Sequence, residues 1–165
     1  MLTGGPGTGK TSVLQALATR LEDAGVEHGA FESEQLACGH PWLPDRLVHE
    51  QLAAVCRLQR GYGRTLFIVA ATTETEEDLR GLIAAIGAER TFVACLRAPG
   101  DVAAARVLER EPARWSGREA LAAHARVLAE AIPRLASVDL VLDTDGREPD
   151  DVAAALYEAY VDGAG

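Results

Sequence analysis

Residues 4–11 read Gly-Gly-Pro-Gly-Thr-Gly-Lys-Thr, and no other stretch of the chain restricts its fold as strongly. Gly4, Gly9, Lys10 and Thr11 stand at the spacing of a loop that wraps phosphate. Such a loop needs glycine because it approaches the phosphates closely and because some of its positions take positive φ. Its backbone N–H groups then point inward at the positive end of the helix that follows. On this reading Lys10 bridges the β- and γ-phosphates, the Thr11 hydroxyl ligates Mg²⁺, and Gly5, Gly7, Thr8, Gly9 and Ser12 complete the nucleotide cradle. The alternative is a glycine-rich turn that happens to precede a helix. Lys10 is the sole lysine in the chain, and with this content of glycine, serine and threonine it would match the pattern by accident about once in a thousand.

Strands and helices alternate through the rest of the chain with short connections, which predicts an α/β fold with a mostly parallel sheet covered on both faces. Val13, Leu14, Leu17 and Leu21 place a helix over 10–24, stopped by Gly25, and 26–31 reads as a strand. The Gly39 to Pro44 stretch breaks regular structure, and Asp45 is expected to cap a helix reaching about Arg60. The run TLFIVAA at 65–71 has the unbroken apolar character of a strand buried on both faces. Thr73 and Glu76 form a capping-box pattern for a helix to about Ile86, with a strand over 91–96. A helix over 101–109, an irregular 111–117, a helix from Ser116-x-x-Glu119 to about Leu135, a strand over 138–142 and a helix from Pro149 to Tyr160 complete the order. Only Met1 and Leu2 precede Thr3-Gly4. Either the natural start lies upstream, or the central strand is unusually short.

At 165 residues with 48 % hydrophobic content, the chain suits one domain with one core. A formal net charge of −9 opposes general affinity for nucleic acid, which needs clustered cations. No run of eighteen apolar residues and no signal-peptide pattern occurs, so a soluble, cytoplasmic protein without a membrane partner is expected. Cys38, Cys56 and Cys95 are far apart and read as reduced thiols, and Cys38-Gly39-His40 lacks the second pair a zinc site needs.

The kind of chemistry depends on acids near the loop. TLFIVAA ends in Ala71-Thr72 and offers none, while Asp143 falls on the last strand, too far from the loop for a metal-holding acid. Phe31-Glu32-Ser33-Glu34 closes the second strand, and alternation would put Glu32 and Glu34 on one side, facing the crevice at the strand ends. They read either as two solvated acids or as a metal-linked base and an acceptor-binding carboxylate, with Glu32 nearer the loop.

On its phosphate loop and order of elements, the chain resembles the small-molecule kinase branch of P-loop proteins, which includes shikimate, gluconate and adenylylsulfate kinases and chloramphenicol phosphotransferase. It looks closest to actinobacterial ATP-binding proteins labelled adenylylsulfate-kinase-like. The resemblance implies a three-layer P-loop fold, about five parallel strands in the order 2-3-1-4-5, with ATP and Mg²⁺ as cofactors. Glu32-Ser33-Glu34 stands where such kinases carry Asp-x-Asp, which implies Glu32 as catalytic carboxylate and metal ligand beside Thr11. An arginine-bearing lid near 111–118 is also implied, with Arg114 and Arg118 on the transferred phosphate and Arg106 and Arg110 in the same region. Arg110 and Pro149 match the places that sandwich adenine, since guanidinium groups suit both stacking and phosphate. The small-molecule acceptor is expected beside Glu34 and Trp42. Two functions follow: phosphate transfer from ATP to a hydroxyl of a small molecule, or an ATP-binding switch without an acceptor reaction.

Overall fold

In the computed structural model, which describes residues 1–162, five parallel strands form one sheet in the order β2-β3-β1-β4-β5. They are β1 (Leu2–Thr3), β2 (His28–Glu32), β3 (Leu66–Ala70), β4 (Ala94–Arg97) and β5 (Leu140–Asp143). The helices are α1 (Lys10–Asp23), α2 (Ser33–Ala37), α3 (Asp45–Gly61), α4 (Glu76–Ile86), α5 (Gly100–Arg110), α6 (Arg118–Ala131) and α7 (Pro149–Asp162). This is the three-layer arrangement and strand order expected. Among the described residues no helix is long and apolar enough to cross a membrane.

The layers follow from strand alternation. Ile68 and Ala70 of β3, with Ala94 and Leu96 of β4, pack on Leu14, Leu17 and Leu21 of α1 and on Val152 and Leu156 of α7. Val69 and Ala71 point the other way, onto Leu52 and Cys56 of α3 and Leu82 and Ile86 of α4. On that second face Cys95 meets Leu128 of α6 and Ile132. Leu52 and Val69 are wholly buried, and each such side chain contributes about 1.5–3 kcal/mol relative to exposure.

Several element boundaries differ from the sequence reading. β2, β4 and β5 begin two or three residues later than the apolar runs suggest, because a strand starts only where a neighbour offers a ladder partner: β4 begins at Ala94, opposite Leu2. Glu34, expected on an extended segment, lies in α2, so the alternation that put it on one side with Glu32 does not apply. α3 is preceded by Pro44, and Asp45 is its first helical residue, not its cap. Thr75, not Thr73, caps α4, its hydroxyl accepting from the Asp78 N–H at 3.1 Å. Thr73 is instead buried. α6 starts at Arg118 with no side-chain cap, so Ser116 does not open it. It ends at Ala131, where Pro133, which has no N–H to continue the ladder, turns the chain into a 3₁₀ turn over Ile132–Arg134.

β1 pairs with β3 only at Leu2↔Ala70 and with β4 at Leu2↔Ala94 and Thr3↔Cys95. Beside the preceding residues of β3 lies a cavity of about 140 Å³ lined by Leu17, Leu21, Ile68, Phe92 and Tyr157. It sits at the amino-terminal edge of the sheet, away from the phosphate loop. There the Met1 ammonium donates to the Phe92 carbonyl at 2.6 Å.

Candidate functional site

The loop between β1 and α1 is wedged between the end of β4 and α5. A Cβ on Gly7 (φ +79°) would stand 2.2 Å from the Ala103 carbonyl oxygen, and one on Gly4 would stand 2.4 Å from that of Leu96. Both positions are therefore closed to any side chain, which is the physical reason for glycine there. Thr8 is buried, and its hydroxyl donates to the Gly5 carbonyl at 2.9 Å, so it ties the loop together. Gly9 precedes α1 without a side-chain cap, and the first turn of α1 carries no acid. Thr11 and Ser12 are exposed on that turn. An uncapped helix start with hydroxyls beside it is suited to an anion.

Lys10 turns its ammonium back over the loop, donating to the Gly4 carbonyl at 2.9 Å and to that of Gly5 at 3.1 Å. Burial pushes its pKa below the usual lysine value; Glu34 is the largest opposing influence, Arg110 lowers it further, and Glu32 opposes with a smaller effect. Of the two acids, Glu34 acts more strongly on Lys10 than Glu32 does. The Glu34 carboxylate accepts from the Thr72 backbone N–H at 2.6 Å and from the Ser33 hydroxyl at 3.3 Å. Glu32 ends β2 and makes no capping bond to α2.

Beside Glu34 opens a cavity of about 400 Å³, lined among others by Trp42, Asp45, His49, Glu74 and Asp78. Trp42 is 59 % exposed. Glu74 is held by His124, whose Nε2 lies 2.7 Å from its carboxylate. That pairing joins residues fifty positions apart, and no sequence spacing announces it.

The arginines separate into distinct environments. Arg106 reaches the Gly7 carbonyl and the hydroxyl and carbonyl of Thr144, each at 3.4 Å, and lies 3.7 Å from Asp145. It braces the loop from behind, against the segment between β5 and α7. Arg110 donates twice to Glu111, at 2.9 and 2.7 Å. Arg118 gives its Nε, at 2.9 Å, and its Nη2 to the Leu108 carbonyl, linking the two ends of the 111–117 segment. Arg114 is exposed in that segment and has no hydrogen bond or ion pair among the described residues. Pro149 is the first residue of α7. Asp143 pairs with Arg97 at 2.7 Å. Cys56 and Cys95 are buried free thiols and Cys38 is exposed.

Among the described residues no group of three or more His, Cys, Asp or Glu side chains could hold a metal. Thr11 carries a hydroxyl and Glu32 and Glu34 carboxylates, donor types that Mg²⁺ takes alongside phosphate and water.

No protein-family model matches the chain, and no curated protein does. Solved structures match over nearly its whole length. Shikimate kinase from Acinetobacter baumannii, in complex with shikimate, superposes with a TM-score of 0.61 at 15 % identity, over 98 % of this chain and 92 % of that one. The APS kinase of Mycobacterium tuberculosis, in complex with AMPPNP and APS, gives 0.64 at 18 % identity, over 96 % and 94 %. A sugar kinase from Janibacter sp. HTCC2649 gives 0.64 at 16 % identity, over 95 % and 90 %. At these identities the likeness is one of fold, and the fold is that of P-loop small-molecule kinases.

Proposed function

We propose that this chain, built on the fold of P-loop small-molecule kinases, transfers the γ-phosphoryl group of ATP to a hydroxyl of a small molecule. The observation that carries this reading is the position of Glu34, which belongs both to the charge environment of Lys10 and to the wall of the 400 Å³ cavity. A nucleotide phosphate on the loop and a hydroxyl compound in that cavity would meet at this carboxylate.

In the reaction the acceptor oxygen forms a bond to the γ-phosphorus, the bond to the β–γ bridging oxygen breaks, ADP leaves, and the hydroxyl proton passes to Glu34. Lys10, the loop N–H groups and the uncapped start of α1 hold the phosphates and neutralise charge, so that positioning and electrostatics supply most of the acceleration. Mg²⁺, when bound, adds further charge neutralisation on the phosphates. Thr11 and Glu32 are the residues suited to hold it, Glu32 through water. The segment 111–117 acts as a lid, with Arg114 as its phosphate-reaching cation and Arg118 holding its base through Leu108. Arg110 and Pro149 are assigned to the adenine side.

The test is ADP release from ATP·Mg²⁺ across a panel of hydroxylated metabolites, with the phosphorylated product followed by ³¹P NMR. Acceleration by one class of acceptor is expected. Slow hydrolysis indifferent to every acceptor would overturn the transfer reading and leave a nucleotide-binding switch.

A further inference from the structure

The cavity beside Glu34 shares that acid with the charge environment of Lys10, and its lining has a definite chemical character. Four acids, Glu34, Asp45, Glu74 and Asp78, face it together with His49 and Trp42, and no lysine or arginine does. Two of these acids stand in the first turns of α3 and α4, where carboxylates often serve the helix itself. The capping there is done otherwise: Thr75 satisfies the Asp78 N–H, and α3 has no side-chain cap. Glu74 is paired with His124, and Glu34 lies in the charge environment of Lys10. Asp45, Asp78 and Glu34 form no ion pair with Arg, Lys or His among the described residues. Arg46, next to Asp45, is turned to Glu50.

An anionic acceptor entering this cavity would meet four acids of its own sign with no lysine or arginine among the lining residues, and like-charge juxtaposition is unfavourable. A cation meets the reverse, and the exposed indole of Trp42 at the wall adds an aromatic face that attracts organic cations. A volume near 400 Å³ accommodates a molecule of about the size of a sugar ring with substituents.

Resting on the phosphotransfer reading of this site, we propose that the acceptor is a hydroxylated organic cation, an amino sugar or amino alcohol. Its ammonium lies among Asp45, Asp78 and Glu74, and its hydroxyl is turned to Glu34 and the γ-phosphate. Asp45 and Asp78 are then specificity residues, acting on acceptor affinity and not on the chemical step.

The experiment measures ADP release from ATP·Mg²⁺ with three matched sets of probes: glucosamine, serinol and kanamycin; glucose, glycerol and N-acetylglucosamine; gluconate and shikimate. The expected result is stimulation of at least tenfold by a member of the first set alone, weakening as salt is raised. In the D45N/D78N double variant, KM for that acceptor should rise about tenfold or more, the worth of one well-placed charge contact. Its kcat should stay within threefold and its KM for ATP should not change. Thermal melting of the variant is read alongside, and a melting point like that of the parent assigns the KM change to the cavity. Fastest turnover with a neutral or anionic probe overturns the cationic acceptor and leaves phosphotransfer standing, as does an unchanged acceptor KM in a folded double variant. No stimulation by any probe in the three sets overturns the transfer reading, and this inference with it.

Discussion

The backbone N–H of Thr72 donates to the Glu34 carboxylate at 2.6 Å, so the end of β3 fixes an acid that belongs to the segment after β2. Behind that bond the Thr3 and Thr73 hydroxyls meet at 2.6 Å in the core. The mouth of the phosphate loop is thereby tied through β3 to the wall of the neighbouring cavity.

That hydroxyl pair gives a clean stability test. Both threonines are 0 % exposed, so Thr73→Val strands the Thr3 hydroxyl without a partner, at a cost of about 1–3 kcal/mol. Replacing both by valine removes the two polar groups together and should recover most of the loss. Urea unfolding of the single and double variants measures the difference. A double variant no more stable than Thr73→Val would show that the pair does not act as a unit.

Lys10→Met should abolish ATP-dependent turnover and weaken nucleotide binding strongly, while the protein melts no lower than the parent. The reason is the direction of its pKa. Burial lowers it, so the folded chain holds that proton less tightly than the unfolded one. The charged form therefore opposes folding at neutral pH, and the opposition fades only as pH rises through the folded pKa. Calorimetry with ATP·Mg²⁺ and a melting curve read the two halves separately.

Two loop glycines should respond differently to alanine. At Gly7 the added methyl meets the Ala103 carbonyl at 2.2 Å, whereas at Gly9 (φ +88°) nothing lies within 4 Å. Gly9→Ala carries backbone strain alone, about 1–2 kcal/mol. Gly7→Ala adds a collision with α5 that must displace the loop. Gly7→Ala is expected to have the lower melting point and the greater loss of ATP affinity, and the opposite ranking would show that the loop is not seated on α5.

The phosphate loop was legible because its chemistry is written in eight consecutive residues. The sheet was legible because apolar runs such as TLFIVAA mark buried strands, and the family resemblance supplied their order. What the sequence could not show depends on distance along the chain. Alternation is a local rule that carries an extended segment on to Glu34, whereas the residue lies in the short α2 and its carboxylate accepts from the Thr72 N–H, thirty-eight positions away. Thr73 looked like a cap until Thr3, seventy residues away, became its partner. The Arg118 fork donates to the Leu108 carbonyl across the 111–117 segment, a contact that no local spacing shows. The acidic lining of the cavity is drawn from α2, α3, α4 and their connections, which no single stretch displays.

The Met1 ammonium gives a pH prediction. Burial lowers its pKa from 8.0 to about 6, against a smaller opposing effect of Asp139. Between those values the unfolded chain binds more protons than the folded one, so the 165-residue chain should gain stability as pH rises from 6 to 8. The gain is at most about 3 kcal/mol at 1.36 kcal/mol per pKa unit. A short apolar, β-forming extension placed before Met1 moves the charge away and offers partners to Leu66 and Phe67. The extended protein should melt higher at pH 6 and lose most of this pH dependence. Parallel pH profiles for the two proteins would refute the assignment to Met1.

The two acids at the end of β2 should separate kinetically. Glu34 is the larger influence on Lys10, is held by Thr72 and Ser33, and borders the cavity. Glu32 shares only the first property, more weakly. Glu34→Gln keeps the shape and can still accept from Thr72, but it cannot take the acceptor proton, so kcat should fall by roughly 10²–10⁴ with ATP affinity nearly intact. Glu32→Gln should act through the metal, raising the Mg²⁺ concentration needed for half-maximal rate while leaving kcat at saturating Mg²⁺ within about tenfold, since Mg²⁺ relies chiefly on phosphate and water. Steady-state kinetics over a range of Mg²⁺ and acceptor concentrations distinguish these outcomes. A Glu34→Gln variant with full turnover would move the proton transfer elsewhere, and a large fall in kcat for Glu32→Gln at saturating Mg²⁺ would return the catalytic role to the residue nearer the strand.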